Sequence, residues 1–333
     1  MSDLEPIAPR YVVRPRRRAS PIWLVVAALA ALLMLPIFVN SYTQYIVNTI
    51  LLYSLVGLGF NIVLGYLGQL AFANAAFFGV GAYVSTLAAA RLGIPFWISL
   101  LPCGVFGGMV GLLVALPALR LERYYLAIVT LTMGELLRWA YIHTDAITGG
   151  SSGVAVPDPI VFGHALTTDA QKYYVCLAVT VSLYWITRNL LRSRLGRALN
   201  AVRQNELAAA SLGLSPVRVK MIAFAWSGFI VAIAGALFSI VLGRITPDSF
   251  DLTQLLLHFA IVMIGGLGSL AGSLIGAVLL TAAPELLRNV AGVQEIAFAM
   301  LLILVLLLMP QGLSGLLTRY VPALRDRFFG EEP

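Results

Sequence analysis

The sequence predicts an all-α, polytopic membrane protein with about ten transmembrane helices. Three observations carry this: an apolar composition, apolar runs of bilayer-spanning length, and a one-sided distribution of Lys and Arg. Hydrophobic residues make up 60% of the 333-residue chain and charged residues 11%, against roughly 25% charged in soluble domains. The mean hydropathy is +0.91. A water-soluble chain of this composition would expose large apolar patches. The apolar runs are roughly 17–25 residues long, enough to cross ~30 Å of hydrocarbon as helix.

Periodicity and punctuation place the helices at 22–39, 46–64, 70–90, 95–117, 124–142, 173–187, 217–242, 252–266, 271–288 and 295–309. The run 22–39 is too long for a signal-peptide core and lacks a following cleavage site, so it reads as an uncleaved span. The segment 70–90 reads as a span or a re-entrant helix, and 252–266 is short. Pro95 suits a first helical turn, and Ser215-Pro216 reads as an N-cap followed by Pro at the first helical position. Pro36, Pro102 and Pro284 fall where kinks or boundaries are expected. Pro310-Gln311-Gly312 ends the last span.

Orientation follows from charge. Seventeen of the 22 Lys and Arg residues lie in four patches, at Arg10–Arg18, Arg120/Arg123, Arg188–Lys220 and Arg319–Arg327. Short basic loops are poorly translocated. An even number of spans puts all four patches in the cytoplasm, with both termini inside. The expected organisation is a basic cytoplasmic tail at 1–20, a transmembrane domain at 21–310 and a cytoplasmic tail at 311–333. A cytoplasmic loop at 188–216 and an external loop at 143–172 interrupt the domain. The net charge of +7 sits beside spans, where it meets anionic lipid rather than nucleic acid. Cys103 and Cys176 occupy separate spans and imply neither a disulfide framework nor a metal site.

Small residues recur at contact spacing. Gly104/Gly108, Gly107/Gly111 and the row Gly268/Gly272/Gly276 each allow close helix approach, within the subunit or toward a partner. The segment Gly65–Ala71 (GYLGQLA) is similar to Gly265–Ala271 (GGLGSLA), identical at five of seven positions. Duplication and chance both account for this.

The loop 188–216 is the most informative. Leu195, Leu199 and Val202 share one helical face, with Arg194, Arg197 and Arg203 around them. Asn205 suits the cap of a second short helix, and Glu206 suits its positive end. Gly213 suits the left-handed residue that ends it. A compact helical pair of this kind fits a groove on a soluble partner; a solvated connector is the plainer reading.

The stretch Gly196–Gly213 (GRALNAVRQNELAAASLG) resembles the coupling loop of ABC importer permeases, nearest to the branched-chain amino acid permease family of the LivM type. Asn61–Tyr83, Tyr125–Arg138 and Gly265–Gly276 also match, and the resemblance runs from about Asn48 to Gly315. Ala210 departs from the pattern, since many relatives carry an acidic residue in this loop. The resemblance implies a vitamin B12-type (type II) importer fold in the bacterial inner membrane. It implies a homologous LivH-like second permease, two ATP-binding subunits and a periplasmic substrate-binding protein. It assigns coupling to Arg197, Ala198, Arg203, Glu206, Ala208, Ala209 and Gly213.

No G-x-x-x-x-G-K-[ST] phosphate loop is present and Lys occurs only at 172 and 220, so this chain is not expected to hydrolyse ATP. It is expected to bind no cofactor, with ATP and Mg on the partner subunits. The solute class is branched-chain amino acids or related small polar molecules such as other amino acids, urea or amides. Candidates for the translocation path are Asn61, Gln69, Asn74 and Tyr83, set among glycines, and Glu135 with Arg138. Glu135/Arg138 and Glu285/Arg288 are pairs three apart that offset the cost of charge in a span, either as structural pairs or as path lining. His143, His164 and His258 show no metal or catalytic spacing. The rival class is a secondary transporter driven by an ion gradient, with Glu135 as the titratable coupling group.

Overall fold

The computed structural model describes residues 30, 32–121, 123–161, 164–166, 168–287, 303, 312 and 313. The tails 1–20 and most of 311–333, half of the expected span 22–39, most of 295–309, and Arg288 lie outside the described residues. The eight other expected spans all coincide with helices. These are α1 (Ser41–Asn61), α2 (Asn74–Leu92), α3 (Phe96–Ala118), α4 (Arg123–His143), α6 (Asp169–Arg192), α9 (Pro216–Leu242), α10 (Leu252–Gly265) and α11 (Leu270–Leu287). Three short helices lie between them, α5 (Asp145–Thr148), α7 (Arg194–Gln204) and α8 (Glu206–Ser211), and the described residues 32–38 of the expected span 22–39 are also helical.

Six described segments are long and apolar enough to cross a membrane: Ser41–Tyr66, α2, α3, α6, α9 and Pro247–Gly265. The chain is an all-α multi-pass membrane protein. α4 falls outside this set although it has 21 residues, because Glu135 and Arg138 lower its hydropathy. α10 has 14 residues, about 21 Å of helix. It reaches spanning length only with the preceding 3-10 turn Pro247–Phe250.

The helix α9 is the central element, packed on α2 and α3 and also on α1. Glycine decides the approach. A Cβ on Gly81 would lie 1.8 Å from the Ala232 carbonyl oxygen, and one on Gly235 1.9 Å from that of Phe78. Gly107 and Gly111 meet the α9 backbone in the same way, and Gly104 lies under the Phe229 ring. The α3 glycine rows therefore serve packing within this subunit. Gly272 and Gly276 press α11 onto α10, where a Gly276 Cβ would sit 2.0 Å from the Ile261 carbonyl. Gly268 does not continue that row; it lies in the connection before α11 with φ +77°.

The segment 70–90 is not a helix from its start. Residues 67–73 are non-helical, and α2 begins only at Asn74. The Phe72 amide donates to Thr130 Oγ1 at 2.8 Å, so α4 supplies the acceptor that a longer helix would have supplied internally. Pro95 precedes α3 rather than opening it, while Pro102 and Pro284 lie inside α3 and α11. The loop 143–172 contains α5 and three short strands, β1 (Val154–Ala155), β2 (Ile160–Val161) and β3 (His164–Ala165). β1 pairs antiparallel with β4 (Arg244–Ile245), which joins this loop to the one between α9 and α10. The bundle thus has a looped end, carrying these strands, and a basic end, carrying α7 and α8.

Candidate functional site

At the basic end, α7 lies against the bundle through Ala198, Leu199 and Val202, all buried. Asn205 breaks the chain between α7 and α8, and its Oδ1 accepts from the Ala208 amide at 3.0 Å. Gly213 ends the pair with φ +85° in open space. Pro216 opens α9 as the spacing predicts, although the Ser215 side chain makes no capping bond. Among the coupling candidates, Ala198 and Ala209 point inward and are buried, while Arg197, Arg203, Glu206, Ala208 and Gly213 are exposed in the chain by itself. Leu207 and Leu212 are each 83% exposed.

The helical pair is fastened from below. Glu206 Oε2 accepts from Lys220 Nζ at 2.8 Å, and the Lys220 side chain is only 5% exposed. The same Nζ donates to the Ala118 carbonyl at the end of α3, at 3.4 Å. A cation at a helix C-terminus complements its partial negative charge. One lysine therefore ties α8, α9 and α3. Arg203 Nη1 donates to the Gly65 carbonyl at 2.6 Å.

That carbonyl belongs to a π-helical turn, Ile62–Tyr66, which continues α1. Asn61 lies at its start and is fully buried. Its Nδ2 donates to the Ser269 carbonyl at 2.8 Å and to Ser273 Oγ at 2.9 Å, and its Oδ1 accepts from the Gly268 amide at 2.8 Å. Its polar atoms are thus spent on the α10–α11 connection. The two similar heptapeptides, Gly65–Ala71 and Gly265–Ala271, meet at this point, with Gly68 at φ +74° and Gly268 at +77°. They diverge afterwards: α11 starts at once, whereas α2 waits for Asn74.

The remaining path candidates form two other groups. Asn74 is buried and lies 3.4 Å from His258 Nδ1; His258 Nε2 is 3.0 Å from Gln254, which also donates to the Tyr53 hydroxyl at 3.1 Å. This polar string within apolar helices includes His258, Gln254 and Tyr53, which the sequence reading did not assign. A lone histidine in an apolar span is the signal that could have found it. Gln69 Oε1 and Asn74 Oδ1 have no hydrogen-bond partner among the described residues. Gln254 and Tyr53 also border an open groove of about 650 Å³ along α10 and α11.

Nearer the looped end, Arg138 bonds Glu135 at 3.5 Å and also Asp248 at 3.1 Å. The expected pair is a triad, because the loop after α9 folds back over α4. The Tyr83 ring lies 4.4 Å from that of Tyr141, one turn from Arg138, and 5.7 Å from Phe250. The Tyr83 and Tyr141 hydroxyls are buried without a partner among the described residues. Glu285 accepts from the Tyr42 hydroxyl.

The six path candidates therefore do not form one cluster. Asn61 and Gln69 lie toward the basic end, Asn74 in the middle, and Tyr83, Glu135 and Arg138 toward the looped end. No group of three or more His, Cys, Asp or Glu able to hold a metal occurs among the described residues.

A family model described as branched-chain amino acid transport system / permease component matches residues 42–310. The chain belongs to this permease family. Curated relatives agree. The high-affinity branched-chain amino acid transport system permease protein LivM of Escherichia coli K12 is 34% identical over 87% of this chain and 74% of its own length. LivM of Salmonella typhimurium LT2 is 33% identical over 84% and 71%. LivH of E. coli K12 is 27% identical over 79% and 91%. No solved structure matches the chain significantly. The resemblance read from the loop motif is borne out, and the chain is a permease component of a transport system. The family match covers each described spanning helix and the α7–α8 pair.

Proposed function

We propose that this permease is one of two homologous membrane subunits of an ATP-binding-cassette importer for branched-chain amino acids or closely related small polar solutes. The observation that carries the reading is the α7–α8 pair. It is anchored to the bundle by Lys220 and Arg203, and it presents Leu207 and Leu212, each 83% exposed, away from the bundle. A rigidly seated, outward-facing apolar surface on a basic loop suits an ATP-binding subunit. The basic end then faces the cytoplasm of a cell whose inner membrane holds the complex, with both termini inside. The full span count is about ten, in the vitamin B12-type arrangement. Mg-ATP is bound and hydrolysed on two partner subunits, and a periplasmic binding protein delivers solute at the looped end.

The second permease fits along α4. This helix leaves Tyr124, Tyr125, Ile128, Leu136 and Trp139 exposed, together with the half-exposed Glu135 side chain. A carboxylate on a spanning helix is costly against lipid, so this face suits a LivH-like subunit or a polar path between the two. The solute then passes Glu135/Arg138, Tyr83 and Asn74 on its way to the basic end.

The test has two parts. A cysteine replacing Asn205 is expected to resist an impermeant thiol reagent in intact cells and to react in inverted vesicles; labelling in intact cells rejects the orientation. Import that persists when ATP is depleted but collapses with an uncoupler rejects the ATP-driven reading in favour of an ion-gradient transporter.

A further inference from the structure

One exposed side chain, on α7, touches the π turn that ends α1, the turn that follows it and the α10–α11 connection. Arg203 Nη1 donates to the Gly65 carbonyl. The Arg203 stem covers Gly68, where an added Cβ would lie 2.7 Å from Cγ, and its Nη1 lies 3.4 Å from the Cβ position of Gly268. Both glycines are left-handed, which other residues adopt only with strain. Asn61 links the same two turns from inside, through the Gly268 amide and the Ser269 carbonyl. The end of α1, the start of α11 and the helix α7 are thus one hydrogen-bonded unit with a single cationic tie.

The tie falls on a π-helical turn. The turn Ile62–Tyr66 is in the π register: the Leu67 amide reaches back to Ile62 and the Gln69 amide to Val63, five and six residues away. Such turns are rare and are frequently found at functional sites. A one-residue slip back to the α register would give the α1 end a second packing, and bistable elements of this kind convert small displacements into larger ones. The Arg203 tie is open to water in the chain by itself, and a partner that covers it lowers the local dielectric and strengthens it.

We propose that Arg203 is a positioning residue: a latch that holds the π turn of α1 and the α10–α11 connection to α7, so that displacement of α7 becomes a change of register at the basic mouth of the path. This rests on the importer reading above. In that reading the contacts to the ATP-binding subunit fall to Leu207, Leu212 and Arg197, while Arg203 transmits within the permease.

The test uses the assembled transporter in proteoliposomes, with both permeases, the ATP-binding subunits and the binding protein. It measures ATP hydrolysed per solute imported and the ATP-binding subunits retained on purification. Arg203→Ala is expected to raise the ATP-to-solute ratio at least fivefold with those subunits retained. Arg203→Lys, which offers one carbonyl a charged donor without the planar fork, is expected to recover at least half of the coupling. Gly68→Ala, which displaces the Arg203 stem, is expected to uncouple without touching the charge.

A ratio within twofold of wild type in both Arg203→Ala and Gly68→Ala overturns the latch. Loss of the ATP-binding subunits from Arg203→Ala in proportion to lost import also overturns it, since the arginine is then a docking contact. If Arg203→Ala does not insert, Arg203→Lys and Gly68→Ala decide between the same outcomes. A wild-type assembly that imports without ATP rejects the importer reading itself, and the latch with it.

Discussion

The two ends of the bundle hold their charges in opposite ways. At the basic end, Lys220 is almost wholly enclosed and Asn61 has every polar side-chain atom engaged. At the looped end, Arg138 joins two carboxylates whose side chains are 47% and 81% exposed. Enclosed polar groups are costly to leave unpaired, so the first arrangement fixes geometry. Exposed ion pairs are screened by water and salt, so the second sets a local field but holds little in place. The basic end is built as a fixed seat for α8 and the α10–α11 connection, with the π turn of α1 as the element proposed to change register, and the looped end as a surface able to rearrange around what reaches it.

Six substitutions sharpen or break this contrast. Asn61→Leu has the largest expected effect, because it strands the Gly268 amide and several carbonyls in a buried site. We expect a loss of about 3–5 kcal/mol, read as a lowered unfolding midpoint in detergent. An unchanged midpoint would remove the fixed-seat description. Next is Glu206→Gln, which leaves an enclosed ammonium without its counter-ion and is expected to cost roughly 1–3 kcal/mol, discounted because the carboxylate is half exposed. Lys220→Met is expected to cost less, since the stranded Glu206 turns to water. The reverse order of these two variants would count against the burial argument. Glu206→Lys places two cations together and is expected to weaken association with the ATP-binding subunits while insertion persists.

Gly213→Val forces a branched side chain to φ +85° where nothing crowds it. A strain of about 1–2 kcal/mol falls on the end of α8 alone. The expected readout is reduced co-purification of the ATP-binding subunits with a near-normal unfolding midpoint. The smallest stability effect belongs to Asp248→Asn, below about 1 kcal/mol because its side chain is largely solvated. Import rate is expected to fall more than stability does. An unfolding shift as large as that of Asn61→Leu would erase the difference between the two ends.

Much of this was legible before any coordinates. Bilayer-length apolar runs located the described spanning helices, because hydrocarbon demands internal backbone pairing and so leaves helix as the local solution. Asn205, Glu206 and Gly213 announced the α7–α8 break, since capping acts between residues a few positions apart. The late start of α2 was not legible, because Thr130 of α4 supplies the acceptor that satisfies Phe72. Nor was the Arg138–Asp248 bond, which joins residues 110 positions apart. The similarity between the segments at Gly65 and Gly265 was visible as text, but its meaning, two left-handed turns bridged by Asn61 and Arg203, was not.

The sequence by itself determined that the chain threads a membrane repeatedly, which end is basic and where a helical pair interrupts the spans. Those properties rest on hydrophobicity, charge and short-range hydrogen bonding, and each is a sum over neighbouring residues. Only the tertiary structure decided what the polar residues do. It gave Asn61 partners in the α10–α11 connection, enclosed Lys220 beneath α8, and gave Arg203 a carbonyl to hold. A buried polar group acquires its role from the partner that meets it, and here those partners arrive from helices far away along the chain.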